Sequence, residues 1–441
     1  MGHPVEEAFR ESLTRTLPEL HLLTESYQEP WLVWERRGPG SWNGSHILRP
    51  ALGSILMAAK EQITAEAARL RSIIESYYPA FMGKIGLRYS GIGIRSKDLT
   101  FPLSSALLTV WNIQQSFVPD SAVINEVAAS ALSVLENARV KIRFSAPVVN
   151  LRSEIDSLRL SPDLTLRRMS EKELTDYYGG SHSQLLFFGR PSKFGLDEFI
   201  LEGEIEGSLI FRTEDLEQGT STKERVSSLL DRAILAIRAF RQGPVGYNYV
   251  QYRPIGFFPT FFSDSPLINV HIPLGHYKIS SDDTEKFAAF AKLVMDNKDS
   301  ALDMGCRRLS DAQVRTRPED QIVDAVVGME AILLAGLAND DRRGELKFRF
   351  SMNYAVLDPD PEERYRRFKL AKDLYNLRST VAHGSALKET VRVGEEKLTA
   401  QRAAVSACDA LRDVLYRLLP EAGESPHRRS EFWDRAYFGL G

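Results

Sequence analysis

The sequence lacks several features that identify a class of protein directly. Cysteine is scarce, with only Cys306 and Cys408 in 441 residues, and these two have neither metal-type spacing nor a disulfide framework. We expect both to be packed thiols of a reducing compartment. His271 and His276 have no cysteine or carboxylate ligand nearby, so we expect no metal ion and no other cofactor.

Long apolar runs are missing as well. The apolar stretch that begins at Ala325 is interrupted by Glu330, well before the roughly 20 residues that a membrane span needs. The N-terminus becomes acidic at once and has no basic segment followed by an apolar one, which is untypical of a secretory signal. We therefore expect a cytoplasmic protein with no membrane partner.

No strong charge of one sign is present. The formal net charge is -3, which gives no overall attraction to nucleic acid, so any RNA site must depend on a local basic patch. The glycine-rich fingerprints of nucleotide-binding loops are absent too.

What is present is the composition of a globular chain, with 43% hydrophobic and 26% charged residues. A chain of 441 residues is too long for one core, which predicts two or three domains. The patterns indicate a multidomain α+β protein, in which a mixed N-terminal α/β region precedes an all-α helical bundle. The expected segments are 1–147 (mainly helical), 148–280 (a mixed α+β module), 281–425 (the bundle) and 426–441 (a C-terminal tail).

Apolar periodicity predicts the elements of both regions. In the N-terminal region and the module we expect helices at 5–27, 55–78, 122–138 and 223–241, and strands at 157–161, 164–169, 199–212 and 245–258. In the bundle, caps and periodicity predict helices at 284–297, 300–313, 320–335, 345–356, 362–382 and 397–419.

Two charged residues interrupt the apolar faces of the bundle helices. Glu330 falls on the stripe of Val323, Val327 and Leu334, and Arg378 lies at the edge of another apolar stripe. A buried carboxylate needs a partner, so we expect Glu330 to face either Arg378 or Arg349. A buried ion pair that only fixes the helix register explains Glu330 and Arg349 about as well as a catalytic role does.

The stretch from Leu374 to Gly384 holds the residues best suited to phosphate chemistry. Arg378 is a permanent cation, and His383 titrates near neutrality. Five residues correspond to about 140° around a helix, so the two cannot share a face while the helix is regular. Either the last turn unwinds at Gly384, a typical C-cap glycine, or a second copy of the helix completes the site.

Basic residues are dense just before Arg378. Clustered on one face they would hold a polyanion, although long helices commonly carry solvated arginine and lysine and acidic residues are interspersed here. The candidate RNA-binding residues are Arg364, Arg366, Arg367, Lys369 and Lys372.

The C-terminal third resembles the HEPN superfamily, and within it the Apea-like branch. The run from Asp320 to Leu334 is similar to its first core helix, 346–350 to the second, and 374–384, with its Arg-x4-His spacing, to the third. The resemblance covers roughly residues 285–420.

The resemblance implies a metal-independent ribonuclease of antiviral defence or toxin systems that acts as a homodimer. It implies that His383 is the general acid or base and that Arg378 stabilises the charge of the pentavalent phosphate. Glu330 and Tyr375 would support them, and Ser379 stands where many active members have an amide or acid. The segment 158–174 is similar to the module that precedes the bundle in related defence proteins, which implies that the N-terminal two thirds sense a trigger or position the RNA substrate.

Two further functions stay open. Some HEPN proteins keep the bundle as a non-catalytic dimerisation or nucleotide-binding module. A small-molecule enzyme with a site in 148–280 has no motif in its favour.

Overall fold

The computed structural model describes most of the chain. The described residues are 2–38, 41–79, 85–87, 93–94, 100–137, 139–178, 197–210, 222–247, 249–257, 262–264, 277–337, 346–421, 423 and 425–440. They form a mixture of helices and small sheets that ends in a helical region, which confirms the α+β class at this level. His271 and His276 lie outside the described residues.

The helices are as follows: α1 Pro4–Leu23, α2 Leu52–Ala58, α3 Lys60–Tyr77, α4 Leu103–Gln114, α5 Ser121–Asn137, α6 Glu171–Tyr178, α7 Thr222–Phe240, α8 Thr284–Asp296, α9 Ser300–Val314, α10 Pro318–Leu333, α11 Leu346–Val356, α12 Pro361–Ala382, α13 Ala400–Leu418 and α14 Ser430–Tyr437.

The strands are as follows: β1 Gln28–Gly38, β2 Ser41–Pro50, β3 Ile85–Leu87, β4 Gly93–Ile94, β5 Arg139–Val149, β6 Leu151–Ser153, β7 Ser157–Ser161, β8 Leu164–Arg168, β9 Phe199–Ile210, β10 Gly246–Tyr247, β11 Val250–Ile255, β12 Phe262–Asp264, β13 Tyr277–Ile279, β14 Thr390–Val393 and β15 Glu396–Thr399.

The chain divides into two compact units that are not continuous in sequence. Unit 1 contains 1–148, 162–229 and 247–267, and unit 2 contains 149–161, 230–246 and 268–441. This grouping differs from the four consecutive segments expected from the sequence. The physical reason is that strands far apart in the chain pair in one sheet, which periodicity along the sequence does not reveal.

Unit 1 is built on an antiparallel sheet in which the strands follow the order β12-β11-β5-β9-β3-β4. β5 alternates exposed and buried residues over its first six positions, as expected for a strand with one face on a core. Helices α1, α3, α4 and α5 pack together, and the ring of Phe9 on α1 lies 5.3 Å from that of Phe257. Strands β1 and β2 form a separate antiparallel pair, which was not among the strands expected from the sequence.

Unit 2 contains the C-terminal helices at close to their expected bounds. α10 is central and packs on α9, α12 and α13, burying Ile322, Val326 and Met329. A Cβ added at Gly328 would lie 2.7 Å from Leu411 Cδ2, so glycine permits the close approach of α10 and α13. The hairpin β14–β15, which precedes α13, is absent from the sequence-based expectation.

Residues 425–440, the C-terminal segment, are bound to unit 2 through Asp299. This buried carboxylate caps α9 by accepting from the amides of Ala301 and Leu302, at 2.8 and 3.1 Å. It also accepts from Ser425 Oγ at 2.7 Å and Arg428 Nε at 2.6 Å. One side chain therefore joins the start of α9 to the C-terminal segment.

Two further contacts hold the C-terminal segment. Trp433 is buried, and its indole donates to the carbonyl of His427 at 3.0 Å. The hydroxyl of Tyr437 donates to Asn353 Oδ1 on α11. His427 itself is fully buried, and burial lowers its pKa. Together with the bonds of Asp299, the Tyr437 contact joins the segment expected as a tail to the helices of unit 2.

Both cysteines are buried free thiols, as predicted, and burial raises the pKa of each to about 12. Across the described ranges, no helix combines the length and the apolar character required to cross a membrane.

Candidate functional site at the end of α12

The end of α12 is a regular helix closed by a glycine cap. The amide of His383 donates to the carbonyl of Ser379 at 3.0 Å, so the last turn keeps its helical bond. Gly384 has a φ of +78°, and the amides of Gly384 and Ser385 donate to Val381 and Thr380 at 2.9 and 3.1 Å. This pattern is a Schellman motif. Of the two arrangements left open by the sequence, the structure does not show an unwound last turn.

Arg378 is held by a carboxylate on the neighbouring helix. Its Nη2 lies 3.1 Å from Glu330 Oε2 on α10, and the two side chains are 31% and 17% exposed. Of the two partners expected for Glu330, the structure therefore shows Arg378. The guanidinium is oriented by the ion pair while about a third of the side chain stays open to solvent.

Burial dominates the electrostatics of this pair. It raises the pKa of Glu330, and the nearby Arg378 opposes that rise. The ionised form of Glu330 is therefore less stable than that of a solvated glutamate, despite its cationic partner.

Tyr375 completes the aromatic side of the site. Its ring lies 5.9 Å from the guanidinium carbon of Arg378 and 5.4 Å from the buried ring of Phe350 on α11. Burial raises the pKa of Tyr375, and Glu330 adds to the rise. The phenol therefore stays protonated near neutrality, as a hydrogen-bond donor beside the arginine.

Two of the expected supporting residues lie apart from this pair. Arg349 is half-buried, and its charge acts on the phenol of Tyr437 in the C-terminal segment. Ser379 is half-buried on α12, and its carbonyl accepts the amide of His383. Among the described residues, neither side chain forms a hydrogen bond or ion pair with Glu330 or Arg378.

His383 is exposed at the C-cap position. Because the helix is regular up to this residue, the imidazole lies about 140° around the helix axis from Arg378. A single copy of α12 thus presents the two side chains on different faces.

The five candidate RNA-binding residues do not form one exposed set. Arg367 is buried and is bound by Asp413 at 2.7 Å and Asp358 at 3.2 Å, so its guanidinium is not presented to a nucleic acid. Lys369 lies 3.0 Å from Glu395, and half-buried Arg364 donates to a backbone carbonyl. Arg366 and Lys372 are exposed.

The exposed aromatic Phe348 was not among the expected site residues. It is 52% exposed on α11, whereas Phe350 two positions later is fully buried. Two positions on a helix differ by about 200°, so the side chains of a Phe-x-Phe pair leave the helix at very different angles and need not be equally buried. That spacing was the signal available in the sequence.

No cluster of three or more potential metal ligands occurs among the residues that the structure describes. No protein-family model matches the chain, and neither a curated protein nor a solved structure is significantly similar to it.

Replacement of Gly384 by alanine should lower the free energy of unfolding by about 1 kcal/mol, because an L-residue is strained in the left-handed region. Steric overlap is not the cause, since an added Cβ meets nothing within 4 Å. Chemical denaturation measures the change. Gly53 on α2 is the matched control: it has equal space and no positive φ, so Gly53→Ala should not destabilise. Equal effects of both substitutions would contradict the cap assignment.

Proposed function

We propose that the protein is a metal-independent endoribonuclease of the HEPN type whose active unit is a homodimer formed through the C-terminal bundle. The observation that carries the proposal is the end of α12. There, Arg378 is oriented by Glu330 and stays partly open, and His383 is exposed five residues later.

The chemistry follows from the two residue types. An imidazole accepts the proton of a ribose 2′-hydroxyl as that oxygen attacks the adjacent phosphorus, and an imidazole in its protonated form donates to the leaving 5′-oxygen. The P–O2′ bond forms and the P–O5′ bond breaks, which leaves a cyclic phosphate and a 5′-hydroxyl. The guanidinium of Arg378 neutralises the charge on the non-bridging oxygens in the transition state.

A dimer can bring an arginine and a histidine into one site, which a single copy of α12 does not do. The regular end of α12 aims Arg378 and His383 in different directions. Two copies related by a twofold axis can place the arginine of one beside the histidine of the other. The cleft between them would be the catalytic site.

Glu330 and Tyr375 act as positioning residues in this proposal. The carboxylate of Glu330 orients the guanidinium of Arg378, and the ring of Tyr375, which lies beside the guanidinium, restricts its motion. Ser379, Arg349 and Arg367 have no direct part in the chemistry proposed here. Arg366 and Lys372 offer exposed cations to the RNA backbone.

The biological setting that accompanies this activity is antiphage or abortive-infection defence in the cytoplasm, with unit 1 as the sensing or regulatory region. This part of the proposal rests on the resemblance of residues 285–420 to HEPN proteins. It is tested by growth arrest on expression of the wild-type chain, which His383→Ala should relieve.

A second candidate is a non-catalytic dimerisation or nucleotide-binding module. The observation in its favour is the Glu330–Arg378 ion pair, which a structural role explains without chemistry. Such a module binds RNA or a nucleotide but leaves RNA uncut, so a cleavage assay on wild type and His383→Ala separates the two functions.

Glu330→Gln should lower RNA cleavage about tenfold, because Arg378 loses its orienting partner. The same change should leave the free energy of unfolding at pH 7 within about 1 kcal/mol of wild type or slightly above it. Burial raises the folded-state pKa of Glu330 above its unfolded value, so stability is lost as pH rises from the unfolded pKa through the folded one, and glutamine removes that loss.

Denaturation at pH 7 and pH 4 checks the stability part of this prediction. At pH 4 the carboxyl of Glu330 becomes protonated, so the free energy of unfolding of wild type should rise relative to that of Glu330→Gln. Unchanged cleavage by the variant would show that Glu330 does not orient the arginine.

A further inference from the structure

One side of α12 carries a row of exposed residues that ends at His383. The row, here called the α12 stripe, consists of Tyr365, Lys372, Asn376, Ser379 and His383. Steps of seven, four, three and four residues return to nearly the same angle on a helix, so these side chains lie in line. From Tyr365 to His383 the stripe advances about 18 residue steps, which is about five turns or about 27 Å.

The α12 stripe lies away from the packed side of the helix. The buried residues of α12 are Arg367, Ala371 and Leu374. Four members of the stripe are exposed, and only Ser379 is half-buried. The stripe is therefore an open surface that leads along the helix to the proposed general acid or base.

Two aromatic rings are exposed at the end of the stripe far from His383. Tyr365 is 58% exposed, and Phe348 on the adjacent α11 is 52% exposed. Both are anchored from one side: Phe348 packs on Phe368 at a centroid distance of 5.9 Å, and Lys369 Nζ lies 4.0 Å above the Tyr365 ring. Exposed aromatic rings beside basic side chains are the usual stacking platform for unpaired bases.

Lys372 supplies positive charge between the rings and His383. Within the described part of the chain it forms no ion pair. The neighbouring carboxylates are engaged elsewhere, since Asp373 accepts from the amide of Gly394 at 3.0 Å and Glu363 lies 3.6 Å from Arg366. A phosphate at Lys372 thus meets a cation whose charge is not already neutralised.

We propose that the α12 stripe, together with Phe348, binds single-stranded RNA. Bases stack at Phe348 and Tyr365, the backbone passes Lys372, and the strand continues to His383. A duplex hides the faces of its bases, so unpaired segments are the substrate class. This inference rests on the proposed ribonuclease function and specifies which RNA that site receives.

Fluorescence anisotropy with a labelled RNA of about 12 nucleotides tests the proposal. The probe carries 2′-O-methyl groups, so it lacks the attacking hydroxyl and stays intact, and the same sequence annealed to its complement serves as the duplex. Tyr365→Ala and Phe348→Ala should each weaken single-strand binding about tenfold. The matched control is Phe438→Ala, which removes a ring that is 79% exposed outside the stripe and should leave binding unchanged.

The outcomes separate this inference from the ribonuclease proposal. If wild type does not cleave RNA but Tyr365→Ala loses single-strand binding, the binding surface stands and the enzyme proposal fails. If wild type cleaves RNA while both variants bind like wild type, or if duplex binds as tightly as single strand, the inference is overturned. Light scattering measures the oligomeric state of wild type and of the two variants. If Tyr365→Ala or Phe348→Ala converts a dimer to monomers, the surface is a subunit interface and the inference is overturned.

Discussion

Replacement of His383 by alanine should reduce the rate of RNA cleavage by about 10²- to 10⁴-fold, the usual contribution of a general acid or base. The imidazole is exposed, and the helical bond at this position uses the backbone amide, so the substitution removes the titrating group without disturbing the cap. The measurement is cleavage of a single-stranded RNA under single-turnover conditions.

His21→Ala is a suitable control for this experiment. His21 is also exposed in the last turn of a helix, on α1, and its backbone carbonyl accepts from the hydroxyl of Thr24. The control should cleave RNA like wild type. Equal cleavage by wild type and His383→Ala, with matching circular dichroism, would show that the catalytic assignment is wrong.

Removal of the Asp299 carboxylate should cause the largest loss of stability. Asp299→Ala deletes the cap of α9, worth about 1 kcal/mol, together with charge-assisted bonds from Arg428 worth about 1.5–3 kcal/mol. Because Arg428 is partly exposed and regains water, we expect a total loss of about 2–4 kcal/mol. Chemical denaturation measures it, and hydrogen exchange should show faster exchange across residues 425–440.

Asp296→Ala provides the comparison. Asp296 is three residues earlier but exposed, and it pairs with Lys292 one turn away on the surface of α8. Exposed pairs of this kind contribute little, so the loss should stay below about 0.5 kcal/mol. If the two substitutions cost the same, Asp299 does not hold the C-terminal segment.

The sequence predicted the helices of unit 2 well because helix signals are local. The Asp360-Pro361 start and the Gly384 end of α12 each use residues within one turn. Strand pairing is not local, so neither the β1–β2 pair nor the division into two units followed from periodicity. β14–β15 was missed even though Val391 and Val393 alternate with polar residues before Gly394.

In the candidate site, too, the side-chain partners that come from distant parts of the chain could not be predicted from the sequence. Periodicity placed Glu330 and Arg378 at the edge of the core, but a choice between Arg378 and Arg349 as partner required the packing of α10 against α12. Arg367 was grouped with the exposed cations, whereas Asp358 and Asp413 bind it in the interior. Charge in a sequence does not distinguish a solvated arginine from a buried one.

The Schellman cap of α12 also has a consequence for dosage. In the proposed dimeric ribonuclease, the rigid end of the helix keeps Arg378 and His383 of one chain apart, so a lone subunit would contain no complete catalytic pair and would not cleave RNA. Cleavage then rises with the square of protein concentration while dimers are scarce, by mass action. For this proposed enzyme, doubling the number of copies per cell would therefore raise the rate of cleavage about fourfold, without any change in the fold of the subunit.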